Sequence, residues 1–463
     1  MVLFDIDHHS TYGIHIYGHP SYIGFIQATS LYHPSTVVQS LKHDGSGAEP
    51  GLKDTNGNWD LTPHKSRIQR VDRDVLATWH AVLEDESVPV DQTRMVYTVN
   101  KSTAAVLAKL AKAPRVGSLN LQFSRGWDES IDRKKGRFDS EWGRPESWDS
   151  VILQGPHIHV ANPFYKSPNP TMKHNQDWTP VDLEALPVDA IPVTQYKPRG
   201  DSERYDSAYT HWEVNGHQTS ARESFRIAWR RMAANTGERT LIPALVPPGA
   251  AHVNAVFAFG DRFGNLPKLL AVAGMASSLL ADLCIRAVPK GDIYQSAFNR
   301  LPVASDSDSY SSMIAERVLR LNCLTKVFAP LWEEATGTSW TTEVPYRIAS
   351  KRRMALIELD ALVALSLGVT ADELTTIYRT QFPVLYGYDH KDYLYDAKGR
   401  LVPPEIKSIW KSAGSPSNQC GSDSVIFSSI HPQSGIEYTY ELPFNVLDRE
   451  ADLRAAYTSF LKG

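Results

Sequence analysis

Cysteine is scarce in this chain: there are three in 463 residues, Cys284, Cys323 and Cys420, and none stands in C-x-x-C spacing. So few, so scattered, can build neither a disulfide framework nor a zinc cluster, and ordinary buried or inert thiols are expected. Long apolar runs are missing as well. No stretch reaches the length of about 18 residues that a membrane span needs, and the opening MVLFDIDHHSTYG has no basic segment followed by an apolar one. Membrane spanning and secretion are disfavoured, and a cytoplasmic location is expected. Nor is there an excess of positive charge, since 48 Lys and Arg face 52 Asp and Glu, a net charge of -4. The molecule as a whole is not a basic nucleic-acid binder, so any phosphate contacts must come from local Arg and Lys clusters. Internal repeats are not evident.

What is present is the composition of an ordinary folded protein, with 42% hydrophobic and 22% charged residues, which excludes disorder and fibrous repeats. The length allows two or three domains, each with its own core. The expected fold class is α+β: a β-rich domain with core helices, then a mainly helical C-terminal region. Four segments are expected: an α/β or β-rich 1–115, a recognition domain 116–304, a helical spacer 305–411 and C-terminal strands with a helix 412–463. Apolar spacing predicts helices over 74–83, 102–112, 219–234, 267–286, 313–334 and 353–367. Thr370 and Glu373 stand in capping-box spacing before another helix that runs to about 381, ahead of Pro383. Strands are expected over 424–430 and 436–442, and a last helix over 450–461.

The most suggestive segment is TSARESFRIAWRRMAANTGERTLIPALVPPGAAHVNA, residues 219–255. On a helix, Phe225, Trp229 and Met232 form an apolar face, and Arg222, Arg226 and Arg230 a neighbouring stripe. Arg231 and Arg239 add to the charge, so five Arg face only Glu223 and Glu238. Arginine suits forked contacts with phosphate or guanine. Taken alone, an Arg stripe is ordinarily a solvated helix face.

This segment resembles the target-recognition and C-terminal region of type IIG-like N6-adenine DNA methyltransferases, the restriction-modification and phage-defence methylases. There an Arg-rich helix precedes an "ERTLI...P" strand. The matching residues are Arg222, Arg226, Trp229, Arg230, Asn235, Thr236, Glu238, Arg239, Thr240, Leu241, Ile242, Pro247 and Pro248. LLAVAGMASSLLADLCIR is similar to the family's core helix, FNRLPV to the stop that closes the domain, VILQGPHIHVANPFYKSP to its opening strand and turn, and YELPFNVLDREADLRAAYTSF to its tail. The resemblance covers most of the chain from residue 150 onward. It implies sequence-specific DNA recognition, with Arg222, Arg226, Arg230, Arg231, Asn235 and Arg239 on DNA. The clusters that include Lys134, Lys135, Lys351 and Arg352 would then touch the backbone, although such runs are usually solvated loops or helix starts.

Departures from that family matter equally. Full-length members carry a Gly-rich methyl-donor loop and a catalytic N/D-P-P-Y/F loop that holds the flipped adenine. Here the nearest candidate is Asn162-Pro163-Phe164-Tyr165, with Phe in place of the second Pro, and no Gly-rich donor loop precedes it. The expectation is a chain that binds no cofactor and performs no methyl transfer, S-adenosylmethionine being bound by a catalytic partner subunit. Implied partners are duplex DNA, that methyltransferase subunit and other phage-defence proteins. A divergent complete methyltransferase would instead use the 162–165 loop, Asn162 accepting from the adenine amino group. From another class, MVLFDIDHH is similar to the first motif of haloacid-dehalogenase phosphatases, with Asp5 as nucleophile and Asp7 as acid/base beside magnesium. AFGDRFGN, 258–265, resembles that family's distal acidic loop. His8-His9 replace its usual Gly-Thr, and the second distal acid is missing. His157 and His159 fall on one strand face and could ligate a metal, but no carboxylate partner is visible at useful spacing.

Overall fold

The computed structural model describes residues 13–19, 22–84, 86–174, 176–234, 236–262, 264–288, 291–304, 308–415 and 427–462. The fold is α+β, with small, mostly antiparallel sheets and a largely helical C-terminal half. The chain divides into two units, one of residues 1–112 with 376–383, the other of 113–375 with 384–463. Residues 116–304, 305–411 and 412–463 thus fall mostly in the second unit, and only 376–383 belong to the first.

In the first unit, strand β1 (Gly24–Ala28) pairs antiparallel with β2 (Ile68–Asp72), and helix α1 (Pro34–Lys42) lies between them in the chain. Asp72 ends β2 and caps α2 (Arg73–Leu83), its side chain accepting from Val75 N at 3.0 Å. Asn100 does the same for α3 (Lys101–Leu110) through Thr103 N at 2.9 Å. Side-chain acceptors of this kind satisfy amides that the first helical turn leaves orphaned. Leu76, Trp79, Val82, Val106, Leu107 and Leu110 are buried, as the helical spacing of both segments requires. Thr380 O accepts from Leu52 N at 3.0 Å, and Gln381 Nε2 donates to Thr103 Oγ1 at 3.0 Å, which ties 376–383 to this unit.

The second unit opens with β3 (Gln122–Ser124), α4 (Ile131–Lys134), β4 (Phe138–Gly143), β5 (Ile152–Leu153), β6 (Lys166–Pro168), β7 (Trp178–Pro180) and β8 (Thr194–Pro198). Next come α5 (Ser202–Ala208), β9 (His211–Val214), β10 (His217–Ser220), β11 (Arg226–Arg230), β12 (Pro243–Val246), β13 (Ala251–His252) and β14 (Val256–Gly260). The helices α6 (Leu266–Ser277), α7 (Leu279–Arg286), α8 (Gln295–Asn299), α9 (Ser311–Asn322), α10 (Ala329–Thr336), α11 (Ala349–Ser366) and α12 (Ala371–Gln381) follow, α12 running on into the first unit. Helices α13 (Pro383–Gly387) and α14 (Pro404–Ser412), the hairpin of β15 (Phe427–Ile430) with β16 (Glu437–Tyr440), and α15 (Arg449–Lys462) close the chain.

A four-stranded antiparallel sheet, in the order β12-β11-β14-β3, is the centre of this unit. Alternation splits its side chains between two faces. Ile227, Trp229, Phe257 and Phe259 share one face with Phe123, where Trp229 stacks on Phe298 of α8 at 4.0 Å. Ala228, Ala244, Val246, Val256 and Ala258 share the other and pack on Val151, Leu153 and Ile158. Helix α6 crosses α9 at Gly274, where an added Cβ would stand 2.3 Å from Ile314 Cγ2. Among the described residues no single helix is long and apolar enough to cross a membrane.

Three expected helices are corrected. Residues 219–234 hold the end of β10, a turn and β11, because a central strand flanked on both sides buries Arg226 to Trp229 completely. The core helix 267–286 is two helices bent by 65° at Ser278, whose hydroxyl caps the second through Ala281 N at 3.2 Å. The span 313–334 breaks after Asn322, whose side chain turns to Leu245 N of β12 at 2.9 Å and to Val318 O at 2.8 Å. The capping box at Thr370 and Glu373 is present as expected, with Thr370 N donating to Glu373 Oε2 at 2.8 Å and Glu373 N to Thr370 Oγ1 at 3.2 Å.

Candidate nucleic-acid interface

Most of the expected DNA-contacting arginines are spent inside the protein. Arg222 is 4% exposed and stacks on Tyr205; its guanidinium donates to Gly249 O at 2.7 Å, to Asp149 O and to the Asp206 carboxylate. Arg226 is fully buried and donates to Ala250 O and to Ser224 O. Arg239, 7% exposed, is held by Asp282 Oδ2 at 2.8 Å and by the carbonyls of Ser277 and Ser278. Arg231 is half-buried, 3.5 Å from Asp292 Oδ1. Arg352 donates to the carbonyls of Leu321, Tyr346 and Ala161, and burial together with nearby Arg347 lowers its pKa to about 10. The expectation that Arg222, Arg226, Arg239 and Arg352 reach phosphate is therefore corrected: a buried or half-buried guanidinium held by carbonyls and carboxylates cannot leave them without a large hydrogen-bond loss,. Asn235 lies outside the described residues, as do Asp5, Asp7, His8, His9 and Cys420.

Two expected contacts remain on the surface in a distinct setting. Helix α4 ends in Arg133, Lys134 and Lys135, and Gly136 turns the chain with a positive φ of 69° into Arg137 and β4. Strand β8 pairs with β4 and brings Lys197 beside the turn, followed by Arg199, whose amide donates to Arg137 O at 3.0 Å. Three ion pairs form, Lys135 to Asp132 at 3.9 Å, Lys197 to Glu141 at 3.0 Å and Arg199 to Asp139 at 3.5 Å. Arg133, Lys134 and Arg137 form none among the described residues. Lys351, at the start of α11, is exposed but stands alone, since Arg352 is committed inward and Arg353 pairs with Asp452 at 2.6 Å.

The loop 162–165 follows a tight turn. Residues 159–162 fold back on themselves, His159 N donating to Asn162 O at 2.8 Å and Asn162 N to His159 O at 3.0 Å, with Ala161 at a φ of 51°. Asn162 is buried, and its Oδ1 accepts from Phe164 N at 3.0 Å, which leaves one further lone pair on that oxygen,. In the phosphatase reading, Asp261 is occupied, by Lys268 Nζ at 3.1 Å and Asn265 N at 3.0 Å.

A cluster that spacing alone did not reveal sits beside that turn. His159 Nε2 lies 3.3 Å from Glu238 Oε1, and Tyr393 OH donates to Glu238 Oε2 at 2.8 Å. Burial pushes Glu238 up, but the His159 contact, the Tyr393 hydroxyl and Arg239 outweigh it and hold the carboxyl at about 2. Burial lowers His159, against the opposing pull of the Glu238 carboxylate. Tyr165 stacks against His159 at 4.5 Å, with Lys166 and Arg230 over its ring at 5.2 and 5.7 Å. The density of polar residues in PHIHVANPFYK was the only signal in the sequence. His157 is turned inward, its Nε2 on Val193 O at 2.8 Å, and no group of three metal-ligating side chains occurs among the described residues.

No protein-family model matches the chain. No curated protein matches it either.

Proposed function

We propose that this chain is the DNA-recognition subunit, or half, of a split adenine-N6 methyltransferase of a restriction-modification or phage-defence system. In this reading it binds duplex DNA, while a catalytic partner carries S-adenosylmethionine and the transfer chemistry. The ordered resemblance from residue 150 onward supports it, and one structural observation carries it: within five residues Arg133 and Lys134 are exposed and Arg137 half-buried, none of them in an ion pair among the described residues, in a chain whose net charge is -4. Cations without carboxylate partners are free to replace the counterions of a phosphate backbone. Base edges would be read by neighbouring loops, since phosphate contacts position a protein and base contacts specify its site.

The test is a fluorescence-anisotropy titration of duplex DNA against salt. Replacing Lys134 and Lys135 together by Gln is expected to weaken binding and to flatten the plot of log affinity against log salt by about one to two units. An unchanged slope, or no duplex binding by the wild-type chain at low salt, alone or with its catalytic partner, overturns the reading.

A further inference from the structure

The surface beside the 159–162 turn holds two cations that no carboxylate of the described residues balances. Arg230 ends β11 half-buried; its Nε and Nη2 donate to Ile158 O at 3.1 and 2.6 Å. That double contact fixes the plane of the guanidinium, and Nη1 has no acceptor among the described residues. Lys166, the first residue of β6, is half-buried, and its Nζ makes neither hydrogen bond nor ion pair among the described residues. Both groups lie against the same ring, Tyr165, at 5.2 and 5.7 Å, and the Tyr165 hydroxyl makes no hydrogen bond among the described residues. Placing two like charges together in a half-dry setting is unfavourable unless an anion joins them. Glu238 pairs with neither cation: its carboxylate oxygens are engaged by His159 and Tyr393, although its charge reaches the Tyr165 hydroxyl.

We propose that Arg230 Nη1, Lys166 Nζ and the Tyr165 hydroxyl together hold a phosphate group. A tetrahedral oxyanion accepts several hydrogen bonds at once, and a fixed guanidinium edge beside a mobile ammonium matches it. A duplex backbone phosphate is the favoured source, and that choice rests on the function proposed above; a free phosphate compound offers the same chemistry. Of the arginines on β11, Arg230 alone would then touch a ligand, while Arg226 stays inside the sheet.

Lys166→Gln is the variant to test, because the loose 5.2 Å approach to the Tyr165 ring is the one side-chain contact it gives up among the described residues, and its urea midpoint should stay close to the wild type,. Inorganic phosphate should raise the thermal midpoint of the wild-type chain and leave that of Lys166→Gln unchanged, as mass action on one site demands. On duplex DNA, Lys166→Gln should reduce affinity about three- to tenfold and the salt slope by about one unit. Phosphate stabilisation lost in the variant without any duplex binding by the wild type would retain the site, with a free phosphate compound as its ligand, and sink the DNA reading. If Lys166→Gln responds to both probes as the wild type does, while the Lys134 and Lys135 double variant loses salt slope, the phosphate site is wrong and the DNA reading stands.

Discussion

Three buried titratable residues set opposing dependences on pH. Burial lowers His157 from 6.5 to about 4, and burial with the adjacent Arg226 charge lowers His252 from 6.5 to about 3. The unfolded chain therefore takes up protons first, so the stability these residues contribute above pH 6.5 is lost as pH falls through 6.5 toward 4. Asp360 acts in the other sense. Burial pushes it from 3.8 up to about 6, so its contribution is complete below 3.8 and lost as pH rises through about 6. Its carboxylate accepts from Leu279 N at 2.7 Å at the start of α7, a contact Asn can keep. Relative to wild type, Asp360→Asn should gain stability between pH 4 and 7, up to about 3 kcal/mol, in urea titrations at the two pH values. A pH-independent difference would show that Asp360 is ionised throughout. Cys323, fully buried and with its thiol pushed up by that burial, should resist aromatic disulfide reagents until urea unfolds the chain,.

At the level of elements, the segment around β11 shows how the helix expectation arose. Arg222, Arg226 and Arg230 are four residues apart, and that interval fits one helix face as well as one strand face, since four is a multiple of two and close to 3.6. Only the neighbours distinguish the cases: β12 and β14 pair with both edges of β11 and bury it. Arg226→Ala should accordingly destabilise the protein by about 3 kcal/mol or more, through lost packing and orphaned carbonyls. The Lys134 and Lys135 double variant should leave the urea midpoint unchanged, as suits exposed side chains. A soluble, fully stable Arg226→Ala would contradict the buried placement. The crossing of α6 and α9 is equally exacting. Gly274→Ala should cost about 1–3 kcal/mol, and less when measured in an Ile314→Ala background, where the methyl that the new Cβ meets is gone,.

Across the whole molecule, the division into units does not follow the order of the chain. Residues 376–383 belong with 1–112. A fragment ending at Lys112 would lose the Thr380 carbonyl that accepts from Leu52 N and the Gln381 amide that reaches Thr103. Its urea unfolding, followed by circular dichroism, should be broad and shifted to low denaturant. A transition as steep as that of the full chain would show that 376–383 is dispensable.

The α+β class, the helices after Asp72, Asn100 and Thr370, and the final hairpin and helix were legible in the sequence, because local signals set them: apolar period, capping side chains and turn residues. Which arginines face solvent was not legible. Burial is decided by strands and helices far apart in the chain, as Asp282 with Arg239 and Ile158 with Arg230 demonstrate. The same holds for His159, Glu238 and Tyr393, which are joined only because β-turn, loop and C-terminal segment converge in the folded unit.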